Sequence, residues 1–155
     1  MYEVTMTEVE MTIAAVVGSI RQVAALKRGL TDRYGAEPGK GWQVHIEGAQ
    51  GEQAVAKAFN VYWGGNVNTF KMGQDVHRWQ VRTRSKHEYD LLVRDLDKIE
   101  DTFIHVTGLA PTYRIHGYMK GADCKLPKYR RTYGGRAAAF FVPAADIIPI
   151  ENLTK

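Results

Sequence analysis
The apolar residues of this 155-residue chain change their spacing near Asn60, and that change limits the fold more than any bulk property does. Before it, they recur at helical intervals. Thr7 and Glu10 have the Thr-x-x-Glu spacing of a capping box, which predicts a helix start there. Val9, Ile13, Val16, Val17, Ile20, Val23, Ala24 and Leu26 roughly follow a helical stripe to about Leu30. Residues 35–42 contain Pro38 and three glycines and read as a loop. A second helix is expected over residues 44–59, with Ala54, Val55, Ala56, Ala58 and Phe59 as its apolar positions. Gly48 and Gly51 each weaken it by ~1 kcal/mol against alanine, but they permit close approach of another backbone.

After Asn60 the pattern is that of short strands. Residues 61–63, 67–70, 79–83, 91–93, 103–107, 113–119 and 137–142 each read as one. In 79–83, Trp79, Val81 and Thr83 share one face, and Gln80 and Arg82 share the other. Residues 144–148 suggest a short helical turn after Pro143. Helices first, then a mostly antiparallel group of strands, is an α+β order. At this length one domain is expected, spanning residues 1–155, with residues 1–40 as an N-terminal helical extension.

The 45% hydrophobic and 25% charged fractions are those of a globular protein rather than a disordered one. A single cysteine, Cys124, rules out an internal disulfide and suits a reducing cytoplasm, the expected compartment. No signal peptide is expected, since no basic segment followed by a long apolar run opens the sequence, and the longest apolar run, residues 13–17, is far short of a ~20-residue membrane span. The net charge is +4, and it is unevenly placed. Lys120, Lys125, Lys128, Arg130, Arg131 and Arg136 face only Asp123 within residues 120–136. Such a cluster can neutralise phosphates and release counterions, so DNA is the expected partner; a solvated basic loop is the plainer reading. Tyr129 and Tyr133 interleave with these cations and can stack on exposed bases, or sit half-buried at a sheet edge.

One constellation suggests a chemistry: Glu52 in the second helix, Asp75 before a turn at residues 76–78, then Gln80-Val81-Arg82. Phosphodiester hydrolysis uses a hard cation that activates water and neutralises developing charge. Mg²⁺ is held by one or two carboxylates, with water and substrate filling the remaining positions. A hairpin between the strand from Val67 and the strand through Val81 would bring Asp75 to the face of Gln80 and Arg82. Asp75 is then the expected central ligand. Gln80 offers an amide oxygen, Val81 a carbonyl, Glu52 a second carboxylate, and Arg82 a fixed cation for the phosphate. The plainer readings are a turn aspartate and a solvated helix glutamate. Glu47 is the rival helical carboxylate, but it lies about 140° from Glu52 around the helix.

Glu52, Asp75, Gln80 and Arg82 resemble the PD-(D/E)xK nuclease pattern of a helical Glu, a strand-end Asp and a (Glu/Gln)-x-Lys triplet. Residues 48–56 also look like the first helix of compact, phage-encoded members. The resemblance covers about residues 44–119. It implies a restriction-endonuclease-like fold, a mixed central sheet flanked by helices with the N-terminal helix added. It also implies Mg²⁺- or Mn²⁺-dependent cleavage of DNA, in the host cytoplasm for a phage protein, and a possible homodimer. Two departures from the pattern stand out. Arg82 replaces Lys and cannot give up a proton at neutral pH. Gln80 replaces Glu and removes a negative charge. An inactive relative that binds DNA or a protein partner is therefore the alternative.

The remaining chemistry-bearing residues point to structure. No Cys/His spacing suggests zinc. His77 is either an exposed turn residue or a neighbour of metal-bound water. His105 and His116 read as structural, Cys124 as an inert thiol, and Trp42, Trp63 and Trp79 as core or core-edge. No phosphate-binding glycine motif follows a strand.

Overall fold
The computed structural model describes residues 1–29, 39–67 and 73–154. Helix α1 (Glu8–Lys27) starts at the capping box, with both reciprocal bonds made. Thr7 Oγ1 accepts the Glu10 N–H at 3.2 Å, and Glu10 Oε2 accepts the Thr7 N–H at 2.7 Å. Helix α2 (Gly41–Phe59) ends at Asn60, whose left-handed backbone (φ 49°) closes the C-terminus. The two helices meet through small residues. Ala14, Gly18 and Ala25 are buried on α1, and a Cβ at Gly18 would lie 2.5 Å from the Ile46 Cα. The apolar stripe of α1 therefore does not enter the core: Val9, Ile13, Val16, Ile20, Val23 and Leu26 are exposed.

The strands are β1 (Tyr2–Thr5), β2 (Trp79–Arg84), β3 (Leu91–Arg94), β4 (Thr102–Leu109), β5 (Thr112–Lys120), β6 (Arg130–Arg131), β7 (Ala139–Val142) and β8 (Ile148–Pro149); a short helix α3 (Gly121–Cys124) follows β5. The larger sheet runs β1-β5-β4-β2, with β8 also on β5. All its pairs are antiparallel except β2–β4, which is parallel. The parallel pair arises because β3 leaves for a second sheet, so the chain returns to β4 in the direction of β2. The second sheet, β3-β7-β6, is antiparallel. The protein is thus α+β with a mixed sheet.

β4 is buried on both faces, as a strand between two layers must be. Ile104 and Val106 pack with Val55, Phe59, Trp79 and Ile115 beneath the helices. Phe103 packs with Leu91, Val93, Phe140 and Val142 against the small sheet. A bulge interrupts the β4–β5 register between His105 and Val106. His116 Nε2 lies 2.6 Å from Thr107 Oγ1, and the His105 ring stacks on that of His116 at 5.0 Å.

Several sequence expectations are corrected. Residues 61–67 form no strand, and Tyr62 is 89% exposed; residues 68–70 of the expected strand lie outside the described residues. The turn expected at residues 76–78 is present and tight, closed by a Val76–Trp79 bridge with His77 at φ 51°. Residues 144–146 make a single turn, the Asp146 N–H donating to the Pro143 carbonyl at 2.9 Å, and Ile148 already belongs to β8. Trp42 is exposed rather than core. Residues 1–5 add β1 to the main sheet, so the N-terminal segment is woven into the fold and is more than an added helix.

Candidate active site at the free edge of the sheet
β2 ends the larger sheet, and its open side borders a cleft of about 1150 Å³. α2 and Arg21 of α1 form one wall, and the small sheet with Tyr133 and Arg136 forms another. Glu52, Asp75, Gln80 and Arg82 all line it. The fold therefore brings together the four residues that the sequence pattern singled out.

Their local geometry follows from the elements that carry them. Gly51 lets α2 press on β2: a Cβ there would sit 1.9 Å from Thr83 Oγ1. The next residue, Glu52, is consequently buried (5% exposed) beside β2. Both its oxygens are engaged. Arg21 donates to Oε1 at 2.6 Å and to Oε2 at 2.8 Å, and Trp63 Nε1 donates to Oε2 at 3.1 Å. A bidentate guanidinium is what a buried carboxylate needs to remain charged. Glu47, the rival carboxylate, also lines the cleft and accepts from Gln43 at 2.6 Å.

Asp75 sits just before the tight turn, which folds it back on its own strand. Its Oδ2 accepts the Val81 N–H at 2.8 Å. Burial, and then the nearby Glu52 charge, push its carboxyl up to about 6, against the lowering pull of Arg82, the Val81 N–H and Arg21. Gln80 donates its amide to Gln74 Oε1 at 3.0 Å, and Gln74 donates to Asp101 Oδ1 at 3.1 Å. Arg82 is held from three sides. It pairs with Asp97 at 2.9 Å, lies 3.7 Å from Asp75 Oδ2, and stands over the Phe103 ring at 4.9 Å.

Arg21, Asp97 and Asp101 are the cleft residues that sequence reasoning missed. Arg21 falls within the first helix, where its spacing suggests nothing, and the two aspartates fall in what reads as a charged turn. His77 is exposed and stacks on Trp79 at 5.2 Å. Cys124 is fully buried, and burial pushes its thiol up to about 12, which suits an inert residue.

The basic segment is partly neutralised by its own fold. Arg130 makes a bidentate pair with Asp95 at 2.9 and 3.1 Å, and Lys128 lies 3.5 Å from Asp146. Lys125 donates to the Asp95 and Asp97 carbonyls. Arg131 and Lys120 are exposed, and Arg136 lines the cleft. Only Arg136 of the six expected DNA-contacting residues thus opens onto the candidate active site.

Among the described residues, no group of three or more His, Cys, Asp or Glu side chains is arranged as a ready metal cage. Asp75 and Gln80 do present oxygen donors of the type Mg²⁺ prefers. Glu52 does not while Arg21 holds it. Compared with known proteins, the chain matches no family model, no curated protein and no solved structure.

Proposed function
We propose that the cleft beside β2 is a nuclease-type site that hydrolyses DNA phosphodiester bonds on a restriction-endonuclease-like fold. The observation that carries this reading is the convergence of Glu52, Asp75, Gln80 and Arg82 on one cleft from two separate elements and a turn. Asp75 and Gln80 would hold Mg²⁺ or Mn²⁺, with Glu52 joining only by exchanging Arg21 for the cation. The raised Asp75 carboxyl supports this, because two carboxylates facing each other in a recessed site gain from an added cation. The ion supplies Lewis-acid charge and an acidified water when bound.

The protein's own residues divide the remaining work. Arg82, fixed by Asp97 and Phe103, presents a permanent positive charge to the scissile phosphate. It orients and stabilises, but accepts no proton. Arg136 extends positive charge along the cleft, and Lys120, Lys125, Lys128, Arg130 and Arg131 would hold backbone farther along. Those already paired would trade a carboxylate or carbonyl for a phosphate oxygen.

One observation favours a second reading, a DNA-binding relative that does not cut: Glu52 is already neutralised by Arg21 at 2.6 Å. The test is incubation with plasmid and single-stranded DNA in Mg²⁺ or Mn²⁺, beside Asp75→Ala and an EDTA control. Cleavage lost in both controls is the expected result. A folded protein that cuts neither substrate, yet binds DNA with an affinity that falls steeply with salt, would establish the second reading.

A further inference from the structure
We propose that the outer face of α1 is a dimer interface occupied by the same helix of a second copy, running antiparallel. Val9, Ile13, Val16, Ile20 and Val23 follow one another at intervals of four, three, four and three residues, the spacing of a coiled-coil seam. All five are exposed, from 41% at Val23 to 67% at Val9. The arrangement inverts the usual one. The helix turns its small residues inward to α2 and its large aliphatics outward, where a soluble surface would carry charge.

The face is shaped to receive itself. Beside the aliphatic ridge runs a shallow groove lined by Thr12, Ala15, Val16, Ser19, Ile20 and Val23. Its two hydroxyls are already satisfied. Thr12 Oγ1 donates to the Glu8 carbonyl and Ser19 Oγ to the Ala15 carbonyl, each at 2.8 Å. Burying the groove therefore strands neither hydroxyl. A ridge and an adjacent groove on one helix pack into those of a second copy about a two-fold axis. With the axis near Val16, Ile13 meets the partner's Ile20, and Val9 meets the partner's Val23.

Charge fixes the direction. Glu8 lies in the first turn of α1, where Glu10 is already paired with Lys57 at 2.7 Å, and Lys27 and Arg28 lie at its end. An antiparallel pair brings the acidic end of one copy beside the basic end of the other and opposes the helix dipoles favourably. A parallel pair would set like charges together. The exposed aliphatic surface amounts to roughly 1,000 Å² over both copies, near the lower limit for a specific contact, so micromolar dimerisation is expected.

Sedimentation from roughly 1 to 300 µM tests this directly, since that range brackets a micromolar equilibrium. The wild type is expected to shift from monomer to dimer. Val16→Glu places two like charges at the axis and should weaken the dimer by about a hundredfold or more, with far-UV circular dichroism unchanged because Val16 faces out. Mixed Val9→Cys and Val23→Cys proteins should cross-link to each other under mild oxidant, with native Cys124 buried and silent. A wild type monomeric throughout, or a dimer indifferent to Val16→Glu, overturns the proposal; so does a Val9→Cys protein that cross-links to itself. α1 is also long and apolar enough to cross a membrane by length and composition. A monomer that co-sediments with phosphatidylcholine–phosphatidylglycerol vesicles would make the face a lipid surface and likewise overturn the dimer.

Discussion

Asp75 is the residue at which a structural and a functional reading predict opposite effects. If it serves only to cap the Val81 N–H, replacing it should cost stability or leave it unchanged. If it is held in the cleft for chemistry, the fold tolerates an unfavourable charge there. The carboxyl sits at about 6 in the folded protein against 3.8 as its ordinary value. The sign follows directly. A carboxyl raised on folding binds its proton more tightly in the native state, so its penalty is absent below about pH 4 and complete above about pH 6. Two pH units correspond to roughly 2–3 kcal/mol, an upper figure because solvent reaches part of the Asp75 side chain. Asp75→Asn keeps an oxygen for the Val81 N–H and removes the charge. In EDTA at pH 7.5 the variant should melt roughly 4–12 °C above wild type, at 2–4 °C per kcal/mol for this size. The gain should fade between pH 6 and pH 4. A variant that melts at or below wild type at pH 7.5, with no pH dependence of the difference, would refute the argument and leave Asp75 a structural cap.

Other outcomes follow from single contacts. Arg21→Ala leaves Glu52 buried with Trp63 Nε1 as its remaining donor among the described residues and should cost about 3–5 kcal/mol; the double variant Arg21→Met, Glu52→Leu should recover most of it in a denaturant titration. Gly51→Ala drives a methyl into Thr83 Oγ1 and should cost about 1–3 kcal/mol, less in a Thr83→Ala background. His105 is fully buried, and burial, then His116, depress its imidazole to about 3. A base depressed on folding stabilises fully above its unfolded value and loses that stability as pH falls from about 6.5, so His105→Gln should flatten the acid limb of the stability curve. If the basic segment contacts DNA, Arg131→Ala and Arg136→Ala should each lower the salt slope of binding by about one.

What the sequence disclosed was mostly local. The capping box and the alternation in β2 depend on neighbouring residues and can be read from them, whereas the close backbone approach expected at Gly48 and Gly51 is a Thr83 side-chain contact at Gly51 alone. The order of Glu52, Asp75, Gln80 and Arg82 could also be read, because the spacing of such a pattern survives whatever loop carries it. The rest depends on partners far along the chain. β1 has only Val4 buried and exists as a strand because β5 offers an edge. The parallel β2–β4 pairing depends on where β3 goes. The outward stripe of α1 has the periodicity of a core face, and only the glycine and alanine contact with α2 decides that it points away. The Arg21–Glu52 pair, which controls whether Glu52 is available to a cation, is a product of that same helix contact.

An edge strand carries unpaired backbone groups that invite another strand to pair. β2 answers this with the residues of its own candidate site. Asp75 accepts the outward Val81 N–H at 2.8 Å, and Arg82 donates to the Val81 carbonyl at 3.2 Å. The same two side chains lie 3.7 Å apart across the mouth of the cleft. Edge protection and site assembly are therefore one arrangement, which explains how a carboxylate with a raised pKa can be held in place without a dedicated scaffold. It also separates the two residues by consequence. Loss of the Asp75 charge leaves the edge capped if an oxygen remains, whereas truncating Arg82 releases Asp97, uncovers Phe103 and frees the Val81 carbonyl at once. Damage to Arg82 should thus appear in stability and aggregation as well as in any activity, and damage confined to activity belongs to Asp75.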